Sequence, residues 1–146
     1  VVIEIVEDFL KNTSSEQAVV FDGLPRRLTQ KDLFEKAVEK FHRKPLGVLI
    51  SVSDELALRR LSERHMSKST GKIYPSKESA LAECDEIDVY QRTDDTPEAI
   101  KTRLATYHRE TQPVIDWYRV QGRLVEVEGA KGAAEVFESL RNVIES

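Results

Sequence analysis

Ala18-Val19-Val20-Phe21-Asp22-Gly23-Leu24-Pro25-Arg26-Arg27, continuing to Gln30, is the stretch whose reading decides the fold. It opens as a short apolar run rich in β-branched residues, with no alternation of apolar and polar positions. That pattern predicts a strand buried on both faces, the kind found in parallel sheets. Asp22-Gly23 ends the run, and Pro25 forbids its simple continuation. An acid therefore stands at the carboxyl end of a strand with two arginines just beyond it. In open α/β sheets such ends are where ligands bind. A carboxylate directed toward Mg2+ or its waters, with guanidinium groups directed toward phosphate oxygens, is the chemistry these residues suit. Read alone, the same residues are also ordinary turn chemistry on a surface loop. Residues far downstream bear on that choice.

Outward from this stretch the pattern alternates. On the N-terminal side, Ile3, Val6, Phe9 and Leu10 recur at helical spacing and predict a helix to about Lys11, with a polar connection over residues 12–16. On the other side, Thr29-Gln30-Lys31-Asp32 reads as an N-cap with an acid at the third helical position. Leu33, Phe34, Ala37, Val38 and Phe41 give that helix its apolar face, and Pro45 marks its stop. Residues 46–52 read as a second buried strand. Ser53 then caps a helix with Asp54 and Glu55 in its first turn. This helix carries Arg59, Arg60 and Arg64, and the spacing of Arg60 and Arg64 predicts a shared face. A solvated basic face is the plain alternative.

From His65 to about Gln91 the periodicity fades, with Ser67, Ser69, Thr70, Gly71, Pro75 and Ser76 crowded together. So long an excursion in a compact domain reads as an inserted flap. Cys84-Asp85-Glu86, with His65 the only histidine near, makes a poor metal-ligand set. Order returns at Thr96-Pro97-Glu98, a cap followed by proline and an acid. The helix it starts runs to about Val120 through Ile100, Leu104, Tyr107, Thr111, Ile115 and Tyr118, and Pro113 should kink or split it. A third strand over residues 124–127, a turn at residues 129–132 and a final amphipathic helix complete the chain. Strands alternating with helices predict an α/β fold with a parallel sheet.

The 146 residues suit one domain with a real core, and 40% hydrophobic with 33% charged residues is ordinary globular composition. A net charge of -4 argues against a general nucleic-acid footprint. One cysteine, Cys84, excludes a disulfide framework and a cysteine zinc set. No apolar run is long enough to span a membrane, and without a visible signal peptide the default expectation is cytoplasmic. The first residue is Val1, and the only methionine is Met66. An uncapped amphipathic segment at the very start reads as the interior of a longer protein, with removal of an initiator methionine as the alternative.

Taken together these residues resemble the adenylate kinase family. Asp22-Gly23-Leu24-Pro25-Arg26 with Gln30 is similar to its DG-[FY]-PR-x3-Q signature, Leu24 standing for the usual aromatic. Arg60, Arg64 and Thr70-Gly71-Lys72-Ile73-Tyr74 resemble the entry to that family's lid. Gln91-Arg92-Thr93-Asp94-Asp95 with Arg103-Leu104 resembles the lid exit. Tyr107-His108, Thr111, Pro113-Val114-Ile115 and Tyr118 match the helix that follows, and Val127-Glu128-Gly129-Ala130-Lys131 the last strand and its turn.

The resemblance implies a P-loop NTPase-like fold, here incomplete: a parallel sheet flanked by helices, core over residues 1–63 and 93–146, and an inserted lid over 64–92. It implies reversible phosphoryl transfer, Mg·ATP + AMP giving two ADP, by positioning and charge neutralisation. Arg26 would hold the AMP phosphate and Gln30 read its adenine, with Gly23 in the same loop. Asp22 would support Mg2+ through water, with no direct metal ligand. Arg64, Arg92 and Arg103 would close on the transferring group, the last two also toward AMP. Arg60 would lie against the ATP adenine, which the turn at Gly129 to Lys131 would contact through its backbone. Asp94 and Asp95 would help orient the arginines; for Asp95 a helix-capping role stays open.

The partners so implied are ATP, AMP and ADP, with no nucleic acid, no membrane and a monomeric intact protein. No zinc is expected, since the lid carries no cysteine quartet; hydrogen bonds and packing would hold it. The lid is several residues shorter than the family's long form and longer than that of the short-lid kinases. The family's phosphate-binding loop, G-x-x-x-x-G-K-[ST], occurs nowhere in the chain. The expectation is therefore a C-terminal part of such an enzyme, inactive and poorly stable alone. A UMP/CMP-type kinase and a non-catalytic nucleotide-binding module are the competing expectations.

Overall fold

The computed structural model describes residues 2–145; the reading of Val1 lies outside them. In chain order the elements are α1 (Val2–Lys11), α2 (Leu28–Glu39), β1 (Gly47–Ser51), α3 (Asp54–Glu63), β2 (His65–Ser67), β3 (Ile73–Tyr74), α4 (Lys77–Leu81), β4 (Val89–Tyr90), α5 (Pro97–Thr106), a π-helical turn (Tyr107–Thr111), α6 (Gln112–Val120), β5 (Leu124–Glu128) and α7 (Ala133–Glu145). They form an α/β structure with a parallel sheet flanked by helices. Two compact units divide them: residues 1–50 with 106–146, and residues 51–105.

In the first unit β1 pairs with β5, and Gly47 N–H donates to Arg123 O at 2.8 Å where the pairing begins. The core lies between α1 and α2. Val6, Leu10, Phe34 and Val38 are buried there, with Ile3, Val19, Phe21, Leu24 and Phe41 packed against them. Phe21 meets Phe34 edge to face at 5.3 Å between ring centroids. Helix α2 also contacts α6. Glu35 accepts from Tyr118 Oη at 2.6 Å and from Arg123 Nη2 at 2.7 Å, and Lys31 Nζ lies 4.0 Å from the Trp117 ring centroid. Burial, then the Glu35 carboxylate, pushes the Tyr118 hydroxyl well above its ordinary pKa.

Several expectations need correction. Residues 18–21 form no strand: they run without a sheet partner among the described residues, and Val20 is 82% exposed. A strand exists only when a neighbour takes its backbone bonds, and here Val19 and Phe21 are held by side-chain packing instead. The strand at 46–52 forms as β1 but is not buried; Val48 and Ile50 are each at least 40% exposed. Helix α2 begins one residue before Thr29, with Arg27 at the cap position and no side-chain cap bond. The cap at Ser53 forms as read, accepting from Leu56 N–H at 3.2 Å.

The second unit holds a small antiparallel sheet in the order β3-β2-β4, with His65 opposite Tyr74 and Met66 opposite Tyr90. Its turns are held by polar side chains. Ser67, fully buried, donates to Asp88 Oδ2 at 2.5 Å, and Ser69 N–H donates to Asp88 Oδ1 at 2.8 Å. Thr70 N–H and Oγ1 both donate to Ser67 Oγ. These bonds, the one from Ser67 first, hold the Asp88 carboxyl below its ordinary pKa. Beyond Tyr74, helix α4 is closed by a capping box between Ser76 and Ser79. Lys72 pairs with Glu83, and Tyr74 Oη lies 3.2 Å from Cys84 Sγ.

Ser67→Ala removes the atom that joins Thr70 to Asp88 and takes a hydrogen bond from the half-buried Asp88 carboxylate, a loss of about 1 kcal/mol. Native-state hydrogen exchange should show faster opening at Met66, Ser67 and Tyr90, with Leu10 and Phe34 amides unchanged.

Candidate functional site

The singled-out residues fall into two sets, one in each unit. The first is the loop from Asp22 to Gln30. Gly23 has φ +65°, and a Cβ there would run into the Arg26 guanidinium. Arg26 Nε donates to Gly23 O at 2.7 Å, and Arg26 N–H donates to Gln30 Oε1 at 3.0 Å. The Leu24–Pro25 peptide bond is cis. Asp22 is exposed at the turn. The Arg26 carbonyl accepts from Thr111 Oγ1 at 3.1 Å. Next to it, Arg27 Nε pairs with Glu110 Oε2 at 2.5 Å, and Arg109 Nη2 reaches the other oxygen at 3.0 Å. Arg109 first, then Arg27, holds the Glu110 carboxyl below its ordinary pKa. Most of the Arg26 fork is exposed, a geometry suited to an oxyanion. Gly129 and Lys131 follow β5 in the turn before α7, with Lys131 Nζ 4.0 Å from Glu128 Oε2.

The second set gathers around two adjacent acids. Asp95 has a side chain with 0% exposure, and Arg64 grips it with both Nε (2.6 Å) and Nη2 (2.8 Å). Arg103, on α5, places Nη1 3.6 Å from the same carboxylate. Asp94 takes a similar fork from Arg92, Nε at 2.7 Å and Nη2 at 2.8 Å. The Arg92 hydrogen bond pulls the Asp94 carboxyl down to about 2 and raises Arg92 in turn. Thr96 caps α5, its Oγ1 accepting from Ala99 N–H, which leaves Asp95 to the arginines. Arg60 is exposed on α3. The shared helical face expected for Arg60 and Arg64 does not exist: α3 ends at Glu63, and Arg64 has extended backbone with ψ 143°. Leaving the helix is what lets Arg64 reach Asp95.

Sequence reasoning missed Glu110, Thr111 and Asp88 as partners. Ser67, Ser69 and Thr70 crowd visibly along the chain, but their carboxylate stands about twenty residues away, and no local pattern marks it. In the sequence Thr111 stands out only as a position on a helix face and in the family's helix match, with no sign of its contact to Arg26.

Arginine forks held in place by acids in one unit, and a loop that presents a further arginine in the other, are residue types that can take phosphate groups. A family model described as adenylate kinase matches residues 1–123. The chain is 36% identical over 153 aligned residues to an adenylate kinase of Caldicellulosiruptor bescii, covering 100% of this chain and 69% of that protein. It is 31% identical to an adenylate kinase of Fusobacterium nucleatum, covering 96% of this chain and 67% of that one. An adenylate kinase of Methanosarcina acetivorans is 33% identical, with 99% and 69% covered. The chain belongs to the adenylate kinase family. Among the described residues no helix is long and apolar enough to cross a membrane.

Asp95→Asn removes the counter-charge from the partly buried Arg64, and urea unfolding should show a loss of about 3 kcal/mol. For Asp94 the folded pKa is about 2 against an ordinary 3.8, so the unfolded chain takes the proton first as pH falls. The stabilisation is therefore fully present above the ordinary pKa and lost as pH drops through about 2. Carbon-13 titration of the Asp94 carboxyl should find that low midpoint, and Arg92→Ala should return it toward 3.8.

Proposed function

We propose that this protein works as an adenylate kinase, moving a phosphoryl group reversibly from Mg·ATP to AMP to give two ADP. The observation that carries the reading is the Gly23–Gln30 loop, where Arg26 is anchored at its backbone yet presents an exposed guanidinium. Arg26 takes the AMP phosphate, and Gln30 reads the adenine beside it. Arg92 and Arg103 serve the transferring group and AMP. Arg64 joins them on the ATP side, where a planar fork held by Asp95 needs no reorganisation as charge develops. Arg60 stacks on the ATP adenine, and the backbone from Gly129 to Lys131 contacts it. Asp22 supports Mg2+ through its waters. The acids Asp94 and Asp95 keep the arginines from repelling one another before the nucleotides arrive. Residues 64–92 act as the lid, the intact enzyme is a monomer, and it works in the cytoplasm.

The chain holds no G-x-x-x-x-G-K-[ST] loop to cradle ATP phosphates, so the 146-residue polypeptide alone is inactive in this reading. The same absence favours a second reading, a nucleotide-binding module without catalysis. A coupled assay on the polypeptide alone should detect no ADP formation above background. In the full-length protein, AMP should be the preferred acceptor over CMP and UMP, and Arg26→Ala should raise its KM at least about tenfold. Kinase-level turnover by the polypeptide alone would overturn the dependence on the loop. Full-length protein that binds nucleotides without turnover would favour the module.

A further inference from the structure

The π-helical turn between α5 and α6 is not absorbed by the reading above. Its cause is local. Pro113 has no N–H, and in a continuous α-helix its ring would meet the carbonyl of Arg109. The chain widens instead: residues 107–111 form a π turn, and Gln112 N–H donates to Tyr107 O across it. Such turns are rare and are frequently found at functional sites.

Two of its residues hold the Arg26 loop. Thr111 Oγ1 donates to the Arg26 carbonyl at 3.1 Å, and Glu110 pairs with Arg27 at 2.5 Å. On its other side, Arg26 N–H is tied to Gln30 at 3.0 Å. The peptide groups flanking Arg26 are therefore both fixed, and its guanidinium, held at Nε by the Gly23 carbonyl at 2.7 Å, stays exposed. We propose that the π turn Tyr107–Thr111 is a clamp on this loop, with Thr111 a positioning residue that sets Arg26 for the phosphate of the acceptor nucleotide. The inference rests on the assignment of Arg26 to that phosphate.

The Thr111 bond is exposed to solvent, so water replaces it when it is lost and folding barely changes. What changes is where Arg26 stands. Steady-state kinetics of the full-length protein test this. Thr111→Val should raise the KM for AMP about fivefold or more, leave KM for Mg·ATP and kcat within about twofold, and be rescued by Thr111→Ser. Glu110→Gln, which removes the charge pair with Arg27, should move the same constant in the same direction by less. If Arg26→Ala raises the AMP KM but Thr111→Val does not, the clamp is wrong and the Arg26 assignment stands. If Arg26→Ala leaves the AMP KM unchanged, the assignment fails and takes the clamp with it. A Thr111→Val protein with kcat and both KM values equally impaired, unrescued by serine, has lost general structure, and that result also overturns the proposal.

Discussion

Asp95 keeps a carboxylate out of water and is held there by Arg64 and, at longer range, Arg103. Taking that charge from water costs several kcal/mol unless cations stand close and in good geometry. The bidentate fork meets that demand. It also dictates the backbone around it: α3 must stop at Glu63 so that Arg64 turns back, and α5 must start on the Thr96 cap. Three chain segments are thereby tied to one side chain. The cluster of like charges is stable on its own, because its neutralising acids are built in.

A second constraint is Pro113. It cannot complete a regular helix, and the chain answers with a π turn whose residues are the ones that hold the loop at Arg26. A local covalent fact, a missing N–H, is thus coupled to an exposed arginine far away in sequence. The Glu35 carboxylate joins Tyr118 and Arg123 to α2, the helix that follows the loop.

Much of this was legible beforehand. Helical periodicity placed α1, α2, α3, α5, α6 and α7, and the caps at Ser53 and Thr96 were visible because capping is local chemistry. The Asp-Gly-x-Pro-Arg turn was legible as a candidate from its residue types, and the arginines at 60, 64, 92 and 103 through the family resemblance their motifs carry. The strand expected at residues 18–21 failed for a definite reason. Apolar, β-branched composition states a preference for a sheet, but the strand itself consists of bonds to neighbours, and Val20 stands 82% exposed without one. The partner carboxylates Asp88 and Glu110 were illegible, since nothing near them in the chain marks what they touch.

The sequence by itself determined the α/β alternation, the family and the residue types at the candidate site, because periodicity, caps and signature spacing are properties of the chain. Only the tertiary structure decided which acid holds which arginine, that Arg64 leaves its helix, and that Thr111 reaches Arg26. Those are contacts between residues distant in sequence, set by the packing of whole elements, and a contact of that kind leaves no trace in local pattern.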